Sequence, residues 1–261
     1  MNPIQKFFDK IEPLFEKGGK YEKYYTLYEG HRTILFRPKL VTAKKGVQIR
    51  DANDLKRTMI TVVIAMIPCL LFGIWNIGHQ HFLAIGETAT FIQKVGIGAI
   101  QALPIIIVSY AVGLGTEFAI CVIRNHPVNE GYLVTGMLIA LIMPPSIPLW
   151  QVALATIFAV IIAKEVFGGT GMNVLNVALT ARAFLYFAYP TDISGEVWTY
   201  LGDAAAVDGY SGATALAVAY DTALNGTGTV LESFSSFWAE GMYSFKNLFI
   251  GAIPGSIGET S

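Results

Sequence analysis

Apolar and polar positions are unevenly distributed along this chain, and the long apolar runs are confined to residues 58–190. A helix needs about 20 apolar residues to cross a bilayer. The runs predict five membrane segments, at residues 58–77, 96–123, 131–143, 149–163 and 173–189. The third and fourth are short enough to be half-helices that enter the membrane and return. The pattern therefore predicts an all-α integral membrane protein, built as a multi-span helical bundle.

Charge distinguishes the two segments that flank the apolar runs. Residues 1–57 contain thirteen of the eighteen Lys and Arg residues, whereas residues 183–261 contain eight acids and one base. Because basic segments stay in the cytoplasm, residues 1–57 are predicted to be a cytoplasmic amphipathic arm, followed by a membrane helical domain at 58–190. Five crossings then place residues 191–261, and Thr214 among them, outside the cytoplasm.

Composition agrees with a membrane setting and narrows the chemistry. Hydrophobic residues make up 53% of the chain, charged residues 14%, and the mean hydropathy is +0.51, unlike a soluble domain of this length. Cys69 and Cys121 both lie in apolar runs, which excludes a cysteine-ligated iron–sulfur cluster built by this chain alone. The four histidines are scattered over different segments, so the sequence predicts no metal site.

Polar groups inside apolar segments are costly and are usually functional. Glu117, in the second segment, is a candidate for an ion or proton path; the alternative is a carboxylate that reaches the headgroups or pairs with Arg124. Arg182, in the fifth segment, needs a counter-charge, a ligand phosphate or water, and structural pairing is the preferred interpretation. Lys164 and Glu165 close the fourth segment and are interpreted as an interfacial pair.

One stretch of very small residues, Asp-Gly-Tyr-Ser-Gly-Ala-Thr-Ala-Leu at 208–216, follows the apolar region. It presents the Thr214 hydroxyl to a modifying enzyme, behind Gly212 and a neighbouring alanine that clear space for that enzyme and for a phosphate. Asp208 and Ser211 can hold the turn or help to orient the donor of the modifying group. Taken alone, the motif is more typical of a helix N-cap threonine after a tight turn.

Ordered matches along nearly the whole chain resemble the NqrB family of membrane subunits, found in the bacterial sodium-translocating NADH:quinone oxidoreductases. In chain order they are Gly-Gly-Lys-Tyr-Glu-Lys at 18–23, Leu-Tyr-Glu at 27–29, Leu-Val-Thr at 40–42, Arg-Asp at 50–51, Asp-Leu-Lys-Arg at 54–57, Val-Asn-Glu-Gly at 128–131, Pro-Pro at 144–145, Pro-Leu-Trp-Gln at 148–151, Lys-Glu-Val-Phe-Gly-Gly-Thr-Gly at 164–171, the Thr214 motif, and Ile-Pro-Gly-Ser-Ile-Gly-Glu at 253–259. The related RnfD family of the Rnf electron-transport complex shares the Ser-Gly-Ala-Thr motif but lacks the amino-terminal arm.

The resemblance implies a flavoprotein. Thr214 would carry FMN through a phosphoester, attached by a flavin transferase outside the cytoplasm, with Ser211, Gly212 and Asp208 beside it. Riboflavin is implied as a second cofactor. Electrons from NADH would arrive through the partner subunits A, C, D, E and F of the six-subunit Nqr complex and reduce ubiquinone or menaquinone, while sodium ions are exported.

The resemblance also implies two intramembrane sites. A glycine pair before an intramembrane acid is associated with the quinone, and this chain has Gly113 and Gly115 there rather than an adjacent pair. Glu117 matches the acid associated with sodium uptake. The expected location is the bacterial cytoplasmic (inner) membrane, in contact with lipid and with no nucleic-acid partner.

Members of this family continue with a second set of membrane helices, so the chain is expected to be an amino-terminal portion that lacks the second helical half. Two alternatives stay open. One is an Rnf-type electron-transport subunit of the RnfD family, and the other, from a different class, is a non-redox secondary ion transporter with half-helices at a midplane site.

Overall fold

The structure is a computed structural model that describes residues 3–16, 19–25, 28, 32, 55–124, 131–202, 204, 206–207, 210, 212–226 and 242–260. Within these ranges all regular structure is helical and no strand is present. The prediction of an all-α protein is therefore confirmed for the described part of the chain.

Helices follow one another along the chain with short connections. The amino-terminal arm contains α1 (Pro3–Phe15) and a 3₁₀ turn (Glu22–Tyr24). The apolar region contains α2 (Leu55–Ala84), α3 (Phe91–Arg124), α4 (Tyr132–Leu141), α5 (Leu149–Ala159), which continues as a π-helical turn (Val160–Glu165), and α6 (Val177–Ala188). After a 3₁₀ turn (Pro190–Asp192) come α7 (Ala215–Asn225) and α8 (Phe245–Ile250).

Helices α2 and α3 are each long and apolar enough to cross a membrane. Only 11% and 22% of their most apolar windows are buried within the protein, and side chains such as Leu71 and Ile107 point outward. The core helix of a soluble protein would instead bury such a surface, so these helices are suited to a lipid environment. Helices α4, α5 and α6 coincide with the three shorter predicted segments, but each is shorter than a full span.

Helix α3 is the centre of the bundle and packs against α2, α4 and α5, while α6 packs against α4 and α5. The contact of α3 with α4 is held by polar groups in an apolar setting. The Tyr132 hydroxyl donates to the Ser109 carbonyl (2.8 Å), and the Ser109 hydroxyl donates to the Gly136 carbonyl (2.8 Å). Reciprocal bonds of this kind satisfy groups that water cannot reach.

The non-helical segment at residues 251–260 enters the same bundle. Ile257 is 1% exposed, and the N–H groups of Ile257 and Gly258 donate to the carbonyls of Met143 (3.2 Å) and Leu141 (2.9 Å). These bonds satisfy carbonyls at the end of α4 that have no intrahelical partner. On the other side, the segment lies directly against Gly73 of α2, whose missing side chain leaves room for the Ile257 carbonyl.

Candidate functional site

Thr214 is the residue immediately before α7. Its backbone is extended (φ −73°, ψ 160°), and its side-chain oxygen accepts a hydrogen bond from the Ala217 N–H at 3.3 Å. This is the geometry of a helix N-cap, in which a hydroxyl satisfies one of the first N–H groups of the helix. The N-cap interpretation of the motif is therefore confirmed, and it places the Thr214 hydroxyl at the positive end of an 11-residue helix.

The turn before Thr214 is fixed by close backbone packing. A Cβ at Gly212 would lie 2.8 Å from the Glu196 carbonyl oxygen and 3.3 Å from the Thr199 hydroxyl oxygen. The space next to Gly212 is thus filled by residues of this chain, and glycine is needed there for that approach. The Tyr243 hydroxyl donates to the Ala213 carbonyl. Asp208 and Ser211, which were predicted to help this turn, lie outside the described residues.

Two tyrosines, the half-buried Tyr210 and the buried Tyr243, hold this turn against the rest of the protein. The hydroxyls of Tyr210 and Thr199 are 3.0 Å apart, and the Tyr210 hydroxyl donates to Gln80 of α2 at 3.5 Å. Burial raises the pKa of Tyr210, and burial together with the neighbouring Tyr210 raises the pKa of Tyr243 to about 12. Both phenols are therefore neutral hydrogen-bond donors at ordinary pH. They fix the position of the backbone that presents Thr214.

Thr214 lies on the wall of two cavities of about 740 Å³ and about 260 Å³. Arg182, Trp198 and Leu216 also line both of them. Aromatic side chains of α6 and α7 extend the wall of the larger cavity: Tyr186, Phe187 and Tyr220. Ligand sites in proteins typically occupy about 300–1,000 Å³ and combine an apolar wall with a few polar groups. The larger cavity has that size and that composition.

Arg182 supplies the positive charge at these cavities. Its guanidinium donates to Glu259 at 2.9 Å and lies over the Trp198 ring, 5.5 Å from the ring centroid. The Ser256 hydroxyl donates to the same carboxylate at 3.1 Å. The predicted structural pairing of Arg182 is therefore confirmed. Its partner lies in the segment at 251–260, and the side chain of Arg182 is still 33% exposed toward the cavities.

These residues fit a flavin phosphate bound to Thr214. Thr214 lines a cavity of suitable size, and the positive end of α7 and the Arg182 guanidinium favour an anion there. The aromatic side chains of the larger cavity offer flat apolar surfaces of the kind that a ring system contacts. Neither Trp198 nor Glu259 was singled out from the sequence, because both become neighbours of Thr214 only through the fold.

A second polar site lies inside the bundle, around Glu117 of α3. The Lys164 ammonium is 2.7 Å from the Glu117 carboxylate, and the two side chains are 3% and 1% exposed. Lys164 also lies over the Tyr132 ring, 5.7 Å from its centroid. Arg124, the partner considered from the sequence, donates to the Glu165 carbonyl instead (2.6 Å).

The π-helical turn explains why Lys164 reaches the interior. A π turn changes the rotation of the helix and shifts the side chains that follow onto a different face. Lys164 and Glu165 are both 2% exposed, so they are buried and are not the interfacial pair that the sequence analysis expected. Two charges directly after the apolar run of α5 were the available signal, but their burial depends on how this turn packs against α3.

The two glycines of the predicted quinone region do not share a surface. Gly113 is one turn before Glu117 and lies directly against the Tyr132 hydroxyl, which a Cβ at this position would overlap. A Cβ at Gly115 would meet nothing within 4 Å. Residues two apart on a helix point in different directions, and here only Gly113 belongs to the Glu117 site.

The Glu117 and Thr214 sites lie at different heights of the bundle. Gly98, near the start of α3, packs against the Ile74 carbonyl of α2. The Thr214 turn contacts α2 at Gln80, six residues after Ile74 and closer to the end of that helix. Glu117 lies about 30 Å further along α3, at 1.5 Å per residue. In the part of the chain described above, no group of three or more His, Cys, Asp or Glu side chains could hold a metal ion.

Comparison with known proteins gives consistent matches over the whole chain. Residues 42–261 match the NQR2, RnfD, RnfE family. The chain is 48% identical over 286 residues to the NqrB subunit of the Na(+)-translocating NADH-quinone reductase of Stutzerimonas stutzeri, covering 99% of this chain and 66% of the relative. The corresponding subunit of Chromohalobacter salexigens is 47% identical over 280 residues, which cover 99% of this chain and 64% of the relative. That of Neisseria meningitidis serogroup A is 42% identical over 284 residues, which cover 99% of this chain and 66% of the relative. The chain spans just under two thirds of the length of these curated relatives.

Proposed function

The chain belongs to the NQR2, RnfD, RnfE family, and on that premise we propose that it is the membrane subunit of a redox-driven sodium pump that carries FMN covalently on Thr214. The observation that supports this most directly is the position of the Thr214 hydroxyl. It lies on a cavity of about 740 Å³ whose wall also contains Arg182 and Trp198. The relatives named above are subunits of Na(+)-translocating NADH-quinone reductases, which points to the same activity.

The proposed setting is the bacterial inner membrane. Helices α2 and α3 cross it, the basic arm at 1–57 lies in the cytoplasm, and the Thr214 segment lies outside. Electrons from NADH arrive through partner subunits A, C, D, E and F and pass to a quinone as sodium is exported. Riboflavin is proposed as a second flavin of the subunit. The 99% coverage by NqrB subunits favours this assignment over an Rnf-type subunit of the RnfD family and over a non-redox ion transporter.

Thr214 is the acceptor in the attachment step. Its oxygen forms a bond to the flavin-bearing phosphorus of a donor in which that phosphate is part of an anhydride. The anhydride P–O bond breaks, its electron pair leaves with the departing phosphate, and the Thr214 proton passes to a base of the transferase. When bound, the flavin supplies one- and two-electron transfer. The residues of the chain hold the attachment point: Ala217 fixes the oxygen, and Tyr243 fixes the preceding carbonyl.

Substitutions of Thr214 test the tether, provided that the N-cap is controlled. Replacing a threonine cap by alanine costs about 1 kcal/mol of stability, whereas asparagine caps a helix without supplying a hydroxyl. We expect Thr214→Ala and Thr214→Asn to abolish flavin fluorescence in denaturing gels, and Thr214→Ser to retain it. Thr222→Ala, in α7 but away from both cavities, is the matched control and should remain fluorescent.

Peptide mass analysis gives the second measurement. The peptide that contains Thr214 should be heavier by one FMN less one water, and the added mass should be absent from Thr214→Asn. A Thr214→Asn protein that stays fluorescent after denaturation would rule out Thr214 as the attachment point. Wild-type protein without fluorescence, when produced together with a flavin transferase, would rule out the covalent flavin itself.

The ion path is the second part of the proposal. Glu117 is a buried carboxylate on the central helix, and its partner is a buried ammonium ion, Lys164, rather than a neutral group. Uptake of a cation at this carboxylate requires the Lys164 ammonium to move away from it, because the ammonium already neutralises the carboxylate at 2.7 Å. We propose that sodium uptake passes through Glu117, and that Gly113, one turn away, belongs to the same region. Gly115 faces away from it.

A further inference from the structure

Arg182 carries the positive charge of the Thr214 site. Arg182 lines both cavities at Thr214, and it is the only basic side chain among the described residues that line them. We propose that Arg182 is the positioning residue for the flavin phosphate, and that it binds this phosphate both in the donor during attachment and in the finished phosphoester. The inference rests on the proposed flavin at Thr214 and adds to it the residue that receives the anion.

The geometry of Arg182 suits this task. Its bond to Glu259 uses one terminal amino group of the guanidinium (2.9 Å), and a guanidinium carries five N–H donors. The guanidinium lies over the Trp198 ring, 5.5 Å from the ring centroid, and the side chain is 33% exposed. An anion in the cavities can therefore reach a guanidinium that is already held in place, which lowers the entropy lost on binding.

Charge balance at the site points in the same direction. A phosphoester between Thr214 and a flavin carries one negative charge, and the Glu259 carboxylate lines the smaller cavity beside it. The positive end of α7 contributes only a fraction of an elementary charge. Without Arg182, two negative groups would therefore share one partly apolar cavity. The Arg182 guanidinium, which already donates to Glu259 through one amino group, has further N–H donors for a second anion.

The rate of flavin attachment tests this proposal. Membranes that contain the full chain and its partner subunits are prepared from cells without the transferase; purified transferase and flavin donor are then added, and fluorescence is followed in denaturing gels. We expect Arg182→Gln to lower the initial rate by about tenfold, the loss typical of one charge-assisted hydrogen bond. Arg182→Lys should recover part of the rate, because it restores the positive charge but not the planar fork of donors.

Lys246→Gln is the matched control. It removes one positive charge from an exposed position on α8 that lines neither cavity, and its attachment rate should equal that of the wild type. Co-purification of the partner subunits with each variant checks that the protein is folded. If Arg182→Gln is labelled at the wild-type rate, or if Arg182→Lys is as slow as Arg182→Gln in folded protein, the phosphate contact is wrong. If the wild type is not labelled at all, the flavin at Thr214 is wrong instead.

Discussion

The Thr214 oxygen has two lone pairs and one proton, and the N-cap uses only one lone pair, from the Ala217 N–H. Capping and esterification are therefore compatible at this residue. An esterified oxygen can still accept from Ala217, and the added phosphate gains from its place at the start of α7. The N-cap at Thr214 is therefore compatible with the proposed attachment of a flavin to the same side chain.

The interactions of a single residue can be predicted from the sequence where its partners are close in the chain. The cap on Thr214 involves a residue three positions away, and a counter-charge for Arg182 was expected in kind. The sequence did not predict that this counter-charge is Glu259, because Glu259 lies 77 residues further along the chain. Gly212 was expected to clear space for an enzyme, whereas its neighbours are the Glu196 carbonyl and Thr199. Such contacts depend on the tertiary fold.

The Tyr243 hydroxyl predicts how the Thr214 turn responds to pH. Its bond to the Ala213 carbonyl requires the protonated phenol, and burial raises the pKa of Tyr243 to about 12 from 10.0. The protonated form is favoured by folding, so this stabilisation is complete below about pH 10 and is lost as the pH rises through about 12. Tyr243→Phe should lower stability by about 1 kcal/mol at neutral pH and reduce the loss between pH 10 and 12.

The measurement is the thermal midpoint of the purified protein as a function of pH. Tyr220→Phe, at an exposed tyrosine of α7, is the control and should follow the wild-type curve. If the thermal midpoint of Tyr243→Phe falls between pH 10 and 12 by as much as that of the wild type, another group causes the alkaline loss of stability.

The helices follow the apolar pattern, but polar side chains shift their ends. The predicted segment 96–123 became Phe91–Arg124, and at its start the Thr90 N–H and hydroxyl both donate to the Gln93 side chain at 2.8 Å. Segment 58–77 extends to Ala84, because Gln80 donates to Asn76 and His81 contacts the Tyr200 carbonyl, so polar residues continue the helix. Helix α6 begins at Val177, four residues after the start of the predicted segment 173–189. The Asn176 side chain caps it there by accepting a hydrogen bond from the Leu179 N–H. Side-chain hydrogen bonds, rather than apolar length, set these ends.

The contact between α2 and the segment at 251–260 can be tested with two glycines. A Cβ at Gly73 would overlap the Ile257 carbonyl, whereas a Cβ at Gly96 of α3 would meet nothing within 4 Å. Alanine has the higher helix propensity at both positions. We therefore expect Gly73→Ala to lower the free energy of unfolding by about 1–3 kcal/mol through overpacking, and Gly96→Ala to leave it unchanged or raise it.

Thermal unfolding of the two variants in detergent is the comparison to make. Limited proteolysis near Ile257 shows whether the segment has left the bundle in Gly73→Ala. Equal stability of Gly73→Ala and Gly96→Ala would mean that the segment does not pack tightly against α2.

At the scale of the whole molecule, two ion pairs of the described helical bundle lie at sites separated by much of the length of α3. The Glu117–Lys164 pair is buried, while Arg182 and Glu259 are partly exposed beside Thr214. The uneven charge and the apolar runs predicted the helical class and the arrangement of segments. They did not predict the buried pair, because a π turn in α5 was not encoded in the periodicity.

Separation of the two sites predicts separable effects. Glu117→Gln should impair sodium-dependent turnover of the assembled complex and leave the fluorescence of the Thr214 flavin intact. Because Lys164 would then be a buried charge without its partner, the variant should also lose about 3–5 kcal/mol of stability, and Glu117→Gln/Lys164→Met should regain most of it. Turnover, flavin fluorescence and thermal midpoint are measured on the same preparations.

Each outcome has a distinct meaning. Unchanged sodium dependence in Glu117→Gln would remove Glu117 from the ion path. Loss of the flavin together with turnover would show that the two sites are coupled, contrary to their separation along α3. A double variant no more stable than Glu117→Gln would show that the pair is not the origin of the instability.

The position of Ile257 between α2 and the end of α4 has a consequence for how the protein is made. Asn76 of α2 donates to Thr260, a residue 184 positions later. At about 5–20 residues per second, the ribosome delivers this partner about 10–40 s after α2. During that interval the groove at Gly73 and the carbonyls at the end of α4 are incomplete. The packing of α2 against the end of α4 through Ile257 is therefore completed only after residues 251–260 have been synthesised.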